Sequence, residues 1–164
     1  MKKTKFKFDY EVYDSIDELS EEDAKLVKKA RKVTEMAYAP YSNFHVGAVA
    51  MLQNGKVVTG TNQENASYPV TICAERSLLS TAASLFPNVA IKTMAISYLN
   101  NAENTKSEKP ISPCGMCRQS ILEYENRTKA PIRIILSGIN GKIYIINSVK
   151  DLLPLSFTSE DLKA

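Results

Sequence analysis

The placement of three cysteines constrains this chain more than any other feature. Cys114 and Cys117 stand three apart, and Cys73 lies in a separate segment. The segments Thr71-Ile72-Cys73-Ala74-Glu75-Arg76 and Ser112-Pro113-Cys114-Gly115-Met116-Cys117-Arg118 each put cysteine in the first turn of an expected helix. A helix N-terminus carries partial positive charge and favours thiolate, the form that binds metal. A Cys-x-x-Cys pair fills two corners of a tetrahedron, and Cys73 from a neighbouring helix fills a third. Three protein ligands leave one position for water, which separates a catalytic zinc from a structural one. Glu75, two residues after Cys73, reaches the same point because first-turn side chains converge beyond the helix end.

The 164 residues suit a single domain over 1–164, with 1–19 as an N-terminal arm. A chain of that length buries enough surface to fold without disulfide staples. An odd cysteine count with one Cys-x-x-Cys fits a reducing cytoplasm and metal binding better than a secreted framework. No apolar run approaches the roughly 20 residues of a membrane span. The basic start, Met1-Lys2-Lys3-Thr4-Lys5-Phe6, has no apolar signal core after it. Net charge is +3, with lysines at 2, 3, 5, 7, 25, 28, 29 and 32 spread over a tail and one helix. That distribution reads as solvated surface, so no nucleic-acid or membrane partner is expected.

Ser20-Glu21-Glu22-Asp23 resembles a capping box, and Ala24, Val27, Ala30, Val33 and Ala37 follow at helical spacing until Pro40. Phe44–Gln53 and Lys56–Thr61 read as strands joined by a two-residue Asn54-Gly55 hairpin. Ala74–Phe86 reads as a helix and Ile91–Tyr98 as a strand. Asn100–Lys109 reads as an exposed loop. A third helix capped by Ser112, with Pro113 first, then strands Ile132–Leu136 and Lys142–Ile146 complete the pattern, before a short helix near Val149–Leu153. Strand–helix–strand alternation predicts an α/β fold, three layers α/β/α, with a mixed, mostly parallel central sheet. Sites in such sheets form at strand carboxyl ends, where helices begin.

Cysteine, any residue, glutamate, then Pro-Cys-x-x-Cys is the zinc-deaminase signature in an all-cysteine form. The three cysteines are also compatible with a structural site completed by His45, or with a redox pair plus a buried thiol. His45 alternates with Phe44 and Val46 on a strand and is expected to point away from the cysteines. A redox reading leaves Glu75 unexplained.

With these residues in hand, the chain resembles the cytidine deaminases of the small homotetrameric zinc-dependent class. The resemblance rests on Ala39-Pro40-Tyr41-Ser42-Asn43-Phe44-His45-Val46-Gly47-Ala48, Gly60-Thr61-Asn62-Gln63-Glu64-Asn65-Ala66-Ser67-Tyr68, Cys73-Ala74-Glu75-Arg76 and Pro113-Cys114-Gly115-Met116-Cys117-Arg118-Gln119. It implies one Zn²⁺ per subunit on Cys73, Cys114 and Cys117, with Glu75 as the proton carrier. It implies that Phe44 packs near a pyrimidine, that Asn62 and Glu64 bind a ribose hydroxyl, and that the Ala74 backbone contacts the base. The Ser112 carbonyl would lie near departing ammonia, and Phe157 would reach a neighbouring subunit's site. Arg76, with Arg118 in support, would offset the excess charge of three thiolates on Zn²⁺.

The implied reaction is hydrolytic deamination of cytidine and 2′-deoxycytidine in pyrimidine salvage, by a cytoplasmic homotetramer or dimer acting on a small nucleoside. Pro69-Val70, the long Asn100–Lys109 stretch and the N-terminal arm depart from the family pattern. Two rivals follow: a deaminase of a related nucleoside or nucleobase, and a zinc-stabilised binding module without chemistry. The carboxylate of Glu64 argues against nucleic-acid substrates, because it would repel a continuing phosphate.

Overall fold

The computed structural model describes residues 1–102 and 105–163. Helix α1 spans Glu21–Val33 and starts where the Ser20 hydroxyl accepts the Asp23 N–H, with three acidic residues in its first turn. It buries Leu26, Val27, Ala30 and Val33. The α-helix stops before the expected Ala37: Thr34–Met36 tightens into a 3₁₀ turn, and the Thr34 hydroxyl donates to the Arg31 carbonyl. Strands β1 (Glu11–Tyr13), β2 (Phe44–Leu52), β3 (Val57–Thr61), β4 (Ile91–Asn100), β5 (Arg133–Ser137) and β6 (Ile143–Ile146) form one sheet. Helices α2 (Ala74–Leu85) and α3 (Gly115–Thr128) complete the main elements.

The sheet order is β1-β6-β5-β4-β2-β3. Among the described strands only β4 and β5 pair in parallel; the other four pairings are antiparallel. This corrects the mostly parallel expectation. The crossover through α2 carries the chain from β3 to β4, but β2 lies between them and runs opposite to both. Adjacent parallel strands therefore arise once, across α3.

The three layers are as expected. One sheet face buries Val49, Ala95, Ile135, Ile143 and Ile145 against α1. The other buries Ala48, Ala50, Met94, Ile96 and Ile134 against Leu78, Leu79 and Ala82 of α2 and Ile121 and Leu122 of α3. Two strand glycines allow close helix approach. A Cβ on Gly47 would lie 2.4 Å from the Ala30 carbonyl, and one on Gly60 would lie 2.5 Å from both the Ala74 carbonyl and the Leu78 nitrogen.

Other expectations shift locally. In the β2–β3 connection the Gly55 N–H donates to the Leu52 carbonyl, and Leu52 N–H donates to Lys56. The loop is therefore three residues, 53–55, with positive φ at Gly55 (79°) and not at Asn54. The arm is not wholly unpaired, because β1 forms the sheet edge against β6. The expected Asn100–Lys109 loop includes residues 103 and 104, which lie outside the described residues. Within the rest of it Ser107 is buried, its hydroxyl accepting the Asn100 N–H. At the far end of α3 the buried Glu125 carboxylate accepts the N–H groups of Ile132 and Val149 and the Ser148 hydroxyl. Arg133 pairs with Asp23 through two guanidinium nitrogens, tying β5 to α1. Among the described residues, no helix is long and apolar enough to cross a membrane.

Candidate active site

Helices α2 and α3 both begin at one end of the sheet, beyond the carboxyl ends of β3 and β4. Their N-caps are Cys73 and Cys114, both in extended conformation. Ser112 and Pro113 therefore precede α3 rather than cap it. Cys117 is the third helical residue, and an N-cap side chain normally folds over that position. Thus Cys114 and Cys117 converge as cap and first turn, their sulfurs 3.5 Å apart. The Cys73 and Cys114 sulfurs are 3.9 Å apart, and all three lie within 4.8 Å of one another. All are free thiols.

These distances suit a metal. Zinc–sulfur bonds of about 2.3 Å in a tetrahedron separate ligand sulfurs by about 3.8 Å. A hydrogen bond from Cys117, against opposing burial and the Glu75 charge, lowers Cys73 to about 6. Cys117 is raised, by that same hydrogen bond and by burial. One thiolate is thus favoured among three neighbouring sulfurs, and further thiolates need a cation between them. His45 is not among the clustered donors.

Glu75 is 5% exposed, the second residue of α2. Burial raises its carboxyl above the ordinary value, against the pull of its own main-chain N–H and Cys117. A cavity of about 400 Å³ opens on this group, lined by Phe44, Val46, Asn62, Glu64, Glu75 and Ser112 among others. Its walls are mainly apolar, with a few convergent polar groups, the usual make-up of a small-molecule site.

Asn62 and Glu64 both line the cavity and brace its wall. The Asn62 side-chain oxygen accepts the Val46 N–H at 2.7 Å, and its nitrogen donates to the Phe44 carbonyl at 2.8 Å. The Glu64 carboxylate accepts the N–H groups of Tyr41 and Ser42 and the Ser42 hydroxyl. Although desolvation pushes Glu64 upward, these three hydrogen bonds together hold it below its ordinary value. Ala74 is fully buried at the start of α2 and lines the cavity, as does Ser112.

Three expected residues stand elsewhere. Arg76 lines a separate depression of about 430 Å³ between α2 and α3, with Gln119, Glu123 and Arg127. That groove holds none of the sulfurs, but the Arg76 charge favours the Cys73 thiolate. Arg118 donates to the carbonyls of Pro113 and Leu152, so it ties the loop before α3 to the C-terminal segment. Phe157 is 58% exposed and outside the cavity, its carbonyl accepting from Gln119. Sequence reasoning missed Val46, Thr71, Ile72 and Ile111 in the cavity wall. Val46 was findable, because alternation places it on the same strand face as Phe44.

A family model described as "Cytidine and deoxycytidylate deaminase zinc-binding region" matches residues 20–130. The chain belongs to the cytidine and deoxycytidylate deaminase family. It is 40% identical to a cytidine deaminase of Halalkalibacterium halodurans over 139 residues, 84% of this chain and 95% of that protein. A cytidine deaminase of Sporosarcina psychrophila is 37% identical over 84% of this chain and 93% of its own length. The crystal structure of cytidine deaminase from Burkholderia pseudomallei matches with a TM-score of 0.70 and 35% identity, covering 85% of this chain and all of that one. As a member of this deaminase family the chain is a hydrolytic enzyme. Its cofactor is zinc, one ion per subunit, and the three-sulfur cluster fits it.

Proposed function

We propose that this chain deaminates cytidine and 2′-deoxycytidine to the corresponding uridines with release of ammonia. The observation that carries the reading is a buried carboxyl, Glu75, beside three clustered thiols on a nucleoside-sized cavity. Cys73, Cys114 and Cys117 hold the zinc. Zinc bound there supplies a Lewis acid that lowers the pKa of water.

Glu75 accepts a proton from the attacking water and delivers it to ring N3 as oxygen bonds to C4. It then takes the proton of the new C4 hydroxyl and delivers it to the exocyclic nitrogen; the C4–N bond breaks as the C4 carbonyl forms, and ammonia leaves. Burial suits Glu75 to this exchange, because a carboxyl raised above its ordinary value holds a proton more readily than a solvated one. Phe44 packs against the pyrimidine. Asn62, which keeps one amide hydrogen beyond its bond to Phe44, and Glu64 bind the ribose 3′-hydroxyl. The Ala74 backbone holds the base, and the Ser112 carbonyl receives the departing amino group. Arg76 offsets thiolate charge from outside the cavity.

Residues 1–164 act as one domain with 1–19 as its arm, a reading supported by a single sheet that includes β1. The protein works in the cytoplasm, in pyrimidine salvage, as a homotetramer in which Phe157 reaches a neighbouring site. The exposure of Phe157 and its anchorage through Gln119 support that last assignment. Glu75→Gln tests the central role. The variant should retain one zinc per chain and lose about 10²–10⁴-fold in kcat on cytidine. Unimpaired turnover in the zinc-loaded variant would remove Glu75 from the chemistry.

A further inference from the structure

Stacked on the Phe44 ring lies a second aromatic ring, Tyr98. Register explains the meeting. Val46 of β2 stands opposite Tyr98 of β4, so Phe44, two residues earlier on the same face, is its diagonal neighbour. The rings stack with centroids 4.9 Å apart and planes at 19°. Phe44 lines the cavity, whereas Tyr98 does not. Tyr98 is 7% exposed and so is itself held by its surroundings. It walls a neighbouring depression with Lys109, Pro110, Ile111 and Ser112, and the last two also line the cavity.

The main chain at Phe44 is fixed independently of this stack. Its carbonyl accepts from Asn62, and its N–H donates to the Ser42 hydroxyl. Those bonds leave the two side-chain torsions of Phe44 free to choose among rotamers. A ring facing an open cavity loses that freedom only when another group packs against it. Ordering it beforehand spares the entropy that a ligand would otherwise meet on binding.

We infer that Tyr98 is a positioning residue: its ring sets the Phe44 ring in the orientation that receives the pyrimidine. The inference rests on the reading of Phe44 as the base-packing aromatic. Because a preset ring serves substrate and transition state alike, its loss raises KM and leaves kcat nearly unchanged.

The test compares Y98F, Y98L, Y98M, F44L and F44L/Y98L in the zinc-loaded protein, with KM and kcat for cytidine and Tm for each. The two aliphatic variants guard against a packing failure in either one. Y98F keeps the stack and should match wild type. Y98L and Y98M should raise KM about three- to tenfold with kcat within about twofold, a range set by the worth of one aromatic pair. F44L/Y98L should have the KM of F44L alone, since Tyr98 acts through Phe44. An impaired F44L beside Y98L and Y98M of normal KM would overturn the inference while leaving the Phe44 reading intact. Additive effects in the double variant would overturn it likewise. Normal KM in F44L would sink the Phe44 reading, and the inference with it.

Discussion

Glu75 sits where burial and charge oppose each other. Its carboxyl is raised chiefly by desolvation, so the folded protein holds this proton more tightly than the unfolded chain does. Above the folded value the buried carboxylate costs stability. That cost fades as pH falls toward the ordinary value and vanishes below it, where both states are protonated. Glu75→Gln removes the charge at nearly constant shape. In metal-free protein it should raise Tm near about pH 8. Near about pH 4 the two proteins should melt together. Thermal scans of chelated protein at both pH values check this, and a destabilised variant at the higher pH would contradict it. Glu75 and the cysteines were legible in sequence because a short motif carries them. Tyr98 was not, because its role follows from the register between β2 and β4, which no local pattern encodes.

At the scale of elements, the site depends on how closely α2 lies on β3. Gly60 has no side chain where the Ala74 carbonyl and Leu78 nitrogen approach, so the first turn of α2 rests directly on the strand. A methyl group at 2.5 Å from either atom forces the helix outward. Gly60→Ala should therefore cost about 1–3 kcal/mol, as overpacking of a tight contact does. It should also weaken zinc retention, since Cys73 and Glu75 move with that turn. Urea unfolding and a chelator-competition assay read the two effects; unchanged values in both would refute the contact. Helix and strand positions were readable from periodicity, but sheet direction was not. Alternating strand and helix suggested adjacent parallel strands, yet β2 inserts between β3 and β4. Choosing which edge a hairpin strand pairs with is a tertiary decision. The α3 start was misplaced for a local reason: Pro113 suits a first helical turn, but Cys114 takes the cap position instead.

For the whole molecule, the three cysteines bring together the starts of two helices, α2 and α3. Cys73 arrives on α2 after β3, while Cys114 and Cys117 arrive on α3 after β4. The C-terminal segment is tied to α3 through Arg118, Gln119 and Glu125, so its position follows the zinc-bearing helix. The Arg118 guanidinium donates to the carbonyls of Pro113, beside Cys114, and of Leu152, 34 residues on. The central claim joins metal to chemistry and is tested by one titration. Metal-free protein is supplied with graded zinc, and the ultraviolet loss of cytidine is followed beside bound metal per chain. Turnover should rise in proportion to zinc and level off at one ion per chain. Deamination by metal-free protein, or full zinc loading without loss of cytidine, would contradict the account.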